Sequence, residues 1–434
     1  MSLRARIGAA MRNRIAQNTM ALYASQLLLG LVPLVTLPWI ARALGAAEFG
    51  EVVYTQSFAW LLAMVGEYGF RLSGTRAVAR VREDPERLAE TVAGIQGAKL
   101  ALAGVSTVLA LVALMLVPRF REDPGLLALG WLLGTVQGFD PLWYFAGVER
   151  LRFTAAMEAT VRVLTAVAII ALIHEPGQGK AVLAIWCAGL GLSSFGLMAI
   201  MYASVPFRRA RIAASVAALR EGWSLFVNSA AISIYTSGTV FLLGFVASNA
   251  QLAIFGAAER VIRAALRALS PITAAAYPRV TFLLESRRVD RAQRLSAIAL
   301  AALAGLGTVS AIAIIVLAPA IVDFLFGAGF EGVVGVMRVL ALLMPLVALA
   351  GALSGFWLLP RGLDRVFVRT TIAAGLASVV LVLAVGSAAG ALGAAWVLVG
   401  LEAGVVVALA VATHRRGLFP SVAQALGRAA PDPS

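Results

Sequence analysis

Residues 296–322 read Ser296-Ala-Ile-Ala-Leu-Ala-Ala-Leu-Ala-Gly-Leu-Gly-Thr-Val-Ser-Ala-Ile-Ala-Ile-Ile-Val-Leu-Ala-Pro-Ala-Ile-Val322, without one charged side chain. A bilayer's hydrocarbon core, about 30 Å thick, needs roughly 20 apolar residues in a helix to cross it. This stretch is long enough, and the longer stretch 294–326 suits a tilted or kinked helix. Similar stretches recur along the whole chain. The 434 residues are 61% apolar and 13% charged, with a mean hydropathy of +0.90. Soluble domains run nearer 45–50% and about 25%. The composition therefore excludes a water-soluble enzyme and predicts a polytopic, all-α membrane protein.

Twelve spans are predicted: 19–40, 50–72, 92–117, 126–147, 156–173 and 181–205, then 223–247, 251–275, 296–322, 333–359, 366–386 and 390–413. The first is too long for the 7–15-residue core of a cleaved signal and is read as retained. An even count places both termini on one side. Loops on that side hold 24 Lys and Arg, and the opposite loops hold only Arg42, Arg119, Arg121 and Lys180. That asymmetry predicts cytoplasmic termini. It also accounts for the formal net charge of +14 without nucleic acid, because the basic residues are spread through short loops.

A faint repeat divides the chain into 1–217 and 218–434. Asn18-Thr-Met-Ala-Leu-Tyr23 leads to Phe49-Gly50, and Asn228-Ser-Ala-Ala-Ile-Ser-Ile-Tyr235 leads to Phe255-Gly256. Six spans in each half give a parallel repeat, as in several transporter folds. The longest loops, 73–91, 206–221 and 276–294, are expected on the cytoplasmic side as linkers with interfacial anchors or short surface helices.

Other chemistry is poorly supplied. Cys187 is the single cysteine, and His174 and His414 lie far apart at segment ends, so no metal centre, haem site or catalytic triad is expected. No phosphate-binding Gly-x4-Gly-Lys-Ser/Thr loop occurs, and no external loop is large enough to build a catalytic site.

The informative residues are ionisable groups inside spans, each costly unless paired or wetted. Glu67, Arg71, Lys99, Asp140, Glu158, Arg162, Glu259, Arg260, Arg263, Arg267 and Glu402 fall there. Three Glu-then-Arg pairs sit at i, i+4: Glu67–Arg71, Glu158–Arg162 and Glu259–Arg263. That spacing places both groups on one helical face. Glu158–Arg162 reads as a structural pair. Arg260, Arg263 and Arg267 stack along one face near mid-bilayer, and Glu259 compensates only one of them. The remaining guanidiniums call for a wet cavity or an anionic ligand, and arginine's planar fork matches phosphate. The alternative is neutralisation of the stripe by Asp140, Glu67 and Glu402.

Several motifs resemble the bacterial polysaccharide-biosynthesis flippases, which translocate O-antigen and exopolysaccharide repeat units and belong to the multidrug/oligosaccharidyl-lipid/polysaccharide (MOP) superfamily. They are Pro33-Leu34-Val35-Thr36-Leu37-Pro38, Ala41-Arg42-Ala43-Leu44-Gly45, Glu48-Phe49-Gly50, Tyr68-Gly69-Phe70 with Gly74-Thr75-Arg76, Gly138-Phe139-Asp140-Pro141-Leu142-Trp143-Tyr144-Phe145 and Leu359-Pro360-Arg361-Gly362. One departure is Ala146, where the family commonly has Gln. The resemblance implies twelve helices in two six-helix lobes around a central cavity, as in MATE transporters. It implies an undecaprenyl-diphosphate-linked oligosaccharide as substrate, moved to the periplasmic leaflet of the inner membrane by alternating access.

The resulting expectation is a flippase and not an enzyme. Arg260, Arg263, Arg267 and Arg71 would bind the diphosphate, while Asp140, Glu67, Glu259 and Glu402 would compensate charge or couple an ion. No cofactor is expected beyond a coupling H+ or Na+. The partners are membrane lipids and the polymerase and glycosyltransferases of the same pathway. A cation-coupled multidrug antiporter of the superfamily is the alternative, although it would favour acids over an arginine stripe. A lipid II flippase ranks third, because those typically carry two further helices.

Overall fold

The computed structural model describes residues 3–418, and among them every regular element is helical. In chain order they are α1 (Leu3–Glu67), α2 (Phe70–Val81), α3 (Pro85–Leu116), α4 (Pro118–Glu122), α5 (Pro124–Gly138), α6 (Leu142–Gly147), α7 (Leu151–Leu172), α8 (Gly179–Ser204) and α9 (Ile212–Thr236). Then come α10 (Thr239–Leu243), α11 (Asn249–Glu285), α12 (Val289–Leu325), α13 (Gly332–Ala341), α14 (Leu343–Ala352) with a π-helical turn over Leu353–Leu358, and α15 (Asp364–Arg415). The chain divides into two compact units, with the boundary between Ser229 and Ala230. Among the described residues, six helical stretches are long and apolar enough to cross a membrane by length and composition. Large apolar side chains such as Met115, Val316 and Phe324 are exposed, as lipid-facing positions require. It is a multi-pass membrane protein.

Local chemistry explains where the helices begin and break. Asp84 accepts from the Glu86 and Arg87 amides ahead of Pro85, starting α3, and Asp123 accepts from Gly125 N ahead of α5. Inside α1, Gly45 has φ 74 and ψ 169, a conformation essentially confined to glycine, and it divides the element into two helices. Gly390 (φ 56, ψ −140) does the same in α15.

The first unit is drawn together by small residues. Gly130, Gly134 and Gly138 recur every fourth residue along one face of α5 and lie against Thr55, Ala59 and Gly66 of α1. A β-carbon on Gly66 would sit 2.9 Å from Gly138 Cα, so the two backbones nearly touch. This is the close helix approach that small-xxx-small patterns allow in membranes.

Several expectations are corrected. The predicted span 50–72 ends at Glu67, because Tyr68 (φ 45) and Gly69 (φ 77) turn left-handed. Tyr68 stacks on Phe226 at 4.5 Å, and a β-carbon on Gly69 would strike Leu225 Cβ at 2.8 Å, so the corner is tightly packed. Glu67 and Arg71 therefore lie on different helices and not on one face. Residues 276–294 are not a long loop: α11 runs to Glu285 and α12 starts at Val289. The long stretch from 294 lies, as expected, in one helix, which ends at Leu325 and carries Pro319. Residues 126–147 are interrupted at Phe139–Pro141, and 223–247 at Ser237–Gly238. The side chains of Asn18 to Tyr23, the first half of the faint repeat, lie outside the described residues.

Candidate functional site

The arginines of α11 arise from a helix of 37 residues opened by Ser248, whose hydroxyl accepts from Gln251 N. Arg263 is firmly engaged. Its Nε and Nη2 donate to one oxygen of Glu259 at 3.1 and 2.5 Å, and Nη2 also donates to Thr236 O at 2.5 Å. Glu259 is buried, as its partner's charge permits. Arg260 Nη1 donates back to Gly256 O at 3.3 Å, and Arg267 is exposed and also has a partner. The expectation that the stripe leaves guanidiniums without a local partner is thus overturned: acceptors on the same helix engage Arg260 and Arg263, and a freed carbonyl on α9 engages Arg263 as well.

That carbonyl exists because α9 stops at Thr236, where Ser237 and Gly238 interrupt the helix before α10. Helix C-termini leave backbone carbonyls without intrahelical donors, and a cation there is favourable. The neighbouring residue, Tyr235, points its hydroxyl at Glu402, a buried carboxylate of α15. The end of α9 thus gathers Glu402 through Tyr235 and the Arg263–Glu259 pair through Thr236. Sequence reasoning named the charges but missed Tyr235 and Thr236. A Ser-Gly break marks this helix end, yet it lies inside an otherwise apolar run.

A second group of charges occupies the first unit. Lys99 of α3, only 2% exposed, donates from Nζ to Gly138 O at 2.5 Å and to Asp140 O at 3.2 Å. The same ammonium lies 5.8 Å from the centre of the Phe70 ring. Asp140 Oδ1 accepts from Leu142 N at 2.9 Å, securing the start of α6. Its carboxylate also feels the charges of Lys99, Arg71 and Arg162, and Glu67 acts on Lys99. The expected Glu158–Arg162 ion pair does not form. Glu158 Oε1 is buried without a hydrogen-bond partner, although Arg162 and Arg71 act on it electrostatically. Arg71 itself is exposed on α2.

The structure thus brings Glu259, Arg260, Arg263 and Arg267 together on α11, places Glu402 of α15 near the end of α9, and sets Asp140 and Glu67 within electrostatic range of Lys99, with Arg71 in range of Asp140. Lys99 was legible as a buried charge but its partners were not, because they are backbone atoms. Among the described residues, no group of three or more His, Cys, Asp and Glu could hold a metal ion.

These helices, with charges held at helix breaks, define a multi-helix membrane fold. Solved structures of similar architecture include an inward-facing multidrug resistance MATE family transporter of the MOP superfamily (TM-score 0.71, 16% identity, covering 89% of this chain and 94% of that one). Another is the lipid II flippase MurJ in an inward closed conformation (TM-score 0.70, 13% identity, covering 95% and 89%). Residues 15–283 match the family model described as "Polysaccharide biosynthesis protein", and the chain belongs to that family. Similar curated relatives are a "Putative O-antigen transporter" of Escherichia coli (strain K12), 26% identical over 385 residues with 86% of this chain and 90% of the relative covered, and one of the same name from Shigella dysenteriae, 28% identical over 347 residues with 78% and 85% covered. The relatives and structural neighbours named here are transporters and flippases.

Proposed function

We propose that the protein is a flippase that moves an undecaprenyl-diphosphate-linked oligosaccharide repeat unit from the cytoplasmic to the periplasmic leaflet of the bacterial inner membrane, for O-antigen or exopolysaccharide assembly. The observation that carries this reading is the likeness to relatives named O-antigen transporters along most of both chains, within a matched polysaccharide-biosynthesis family. The placement of the arginines supports it. At 1.5 Å per residue, Arg263 lies about 21 Å along α11, a length within the roughly 30 Å of a bilayer's hydrocarbon core.

In this reading twelve spans form two six-helix lobes, 1–217 and 218–434, with both termini cytoplasmic, and they work by alternating access around a central cavity. Arg260, Arg263 and Arg267, with Arg71, hold the diphosphate through charge-assisted hydrogen bonds. Gly256 O holds Arg260, and Glu259 with Thr236 O holds Arg263, until the anion arrives. Glu259, Asp140 and Glu67 compensate charge, and Glu402 is the carboxylate that takes up a coupling H+ or Na+. Glycosyltransferases of the pathway supply the substrate and the polymerase consumes it.

Deletion of the gene, followed by analysis of lipid-linked sugars and surface polymer, tests the reading. Loss of polymer with repeat units accumulating on the cytoplasmic leaflet is expected. Normal polymer with heightened sensitivity to cationic drugs would instead assign the protein to multidrug export, the activity named for its MATE structural neighbour.

A further inference from the structure

The break between α5 and α6 has the form of a cation site. Phe139, Asp140 and Pro141 leave the helical path, Pro141 has no amide proton to offer, and the Gly138 and Asp140 carbonyls turn to one point. Unwound carbonyls and half-helix C-termini are the groups that coordinate Na+ in transporters built from broken helices. Two carboxylates, Asp140 and Glu67, lie within electrostatic range of that point, and the Phe70 ring presents its electron-rich face near it. Every feature favours a monovalent cation, and the group at the focus is the ammonium of Lys99.

We propose that Lys99 is a tethered cation standing where an exchangeable Na+ would otherwise bind, so that the first unit keeps its broken helix intact without taking up an ion. Lys99 is thereby a positioning residue that determines ion specificity. It holds the α5–α6 break against α3, and it assigns Asp140 and Glu67 to permanent charge compensation. Two further observations fit a fixed occupant. The ammonium is sealed from solvent, and the Gly66–Gly138 backbone contact beside it leaves little freedom for the carbonyl to turn away. Ion uptake, where it occurs, then belongs to the second unit.

The test uses the purified full-length protein without substrate, so it stands or falls separately from the flippase reading. Melting is followed by tryptophan fluorescence in N-methylglucamine, Na+ or methylammonium chloride at equal ionic strength. Wild type is expected to melt at the same temperature in all three, or to show a Na+ shift that persists in Asp140→Asn. Lys99→Ala is expected to melt lower in N-methylglucamine and to shift upward with Na+ or methylammonium, because the truncated side chain leaves room for a small cation at the carbonyls. Lys99→Met keeps the stem and fills that room, and it should show no such recovery. A Na+-specific shift in wild type that is lost in Asp140→Asn would overturn the proposal. So would a Lys99→Ala protein indifferent to both small cations. The wild-type and Asp140→Asn arms decide the matter even where Lys99→Ala does not accumulate.

Discussion

Arg263 and Glu259 form a pair in which Nε and Nη2 of the arginine converge on a single carboxylate oxygen, at 3.1 and 2.5 Å. The same Nη2 reaches Thr236 O, so the pair also closes the end of α9. Removing one partner of a buried pair costs about 3–5 kcal/mol, and the arginine side chain here is 29% exposed, which places Glu259→Ala near the lower figure. A lowered melting temperature of the purified variant checks this. Exchanging the charges, with Glu259→Arg and Arg263→Glu together, should recover much of that loss and none of the polymer production.

Arg267 differs because it is exposed. Substitution at such a position usually changes stability by about 0.5 kcal/mol or less. A charge-assisted hydrogen bond to a diphosphate is worth about 1.5–3 kcal/mol, or roughly tenfold or more in affinity. Arg267→Ala should therefore keep its melting temperature and lose most surface polymer, read on the same cultures. Full polymer from this variant would remove Arg267 from the substrate site.

Packing between α1 and α5 is tested at Gly134. A β-carbon there would lie 2.5 Å from Ala59 O and 2.8 Å from Leu62 Cβ. Overpacking of this kind costs about 1–3 kcal/mol. Gly104 of α3 has open space at the corresponding point, and Gly104→Ala should gain about 0.5–1 kcal/mol by favouring the helix. The two variants are expected to move the melting temperature in opposite directions.

The loop before α5 carries a pH dependence. Asp123 is held below the usual carboxylate range, chiefly by its hydrogen bond with Lys180 at 2.7 Å and also by the Leu126 and Gly125 amides. A depressed folded-state value contributes stability above the unfolded value, about 3.9, and that contribution is lost as pH falls through the folded value. The pair is partly exposed, so the contribution is about 1 kcal/mol or less. Wild type and Asp123→Asn should differ in melting temperature at pH 6 and converge in acid below about pH 3.

Hydropathy and arginine placement made the helical class and the order of apolar segments legible. The breaks were not legible, for a physical reason. Tyr68–Gly69, Phe139–Pro141 and Ser237–Gly238 lie within apolar surroundings, so a hydropathy window passes over them. The stacking that pins Tyr68 comes from Phe226, far away in sequence. The charges were visible in the sequence, but the main-chain groups that hold them were not. Lys99 and Arg263 are both engaged by main-chain carbonyls, which carry no side-chain signature. A regular glycine spacing, Gly130, Gly134 and Gly138, marks the α1–α5 contact in the sequence.

Gly45 has a further consequence, at the level of the gene. Nothing stands within 4 Å of the place a β-carbon would occupy there, yet its φ of 74 with ψ of 169 is closed to every other residue. Each missense change of its codon should therefore be harmful to a similar degree, from alanine to tryptophan. At Gly134, where neighbours crowd the site, harm should rise with the bulk of the replacement. A saturation library scored for surface polymer would separate the two patterns: a flat row at codon 45 and a graded one at codon 134.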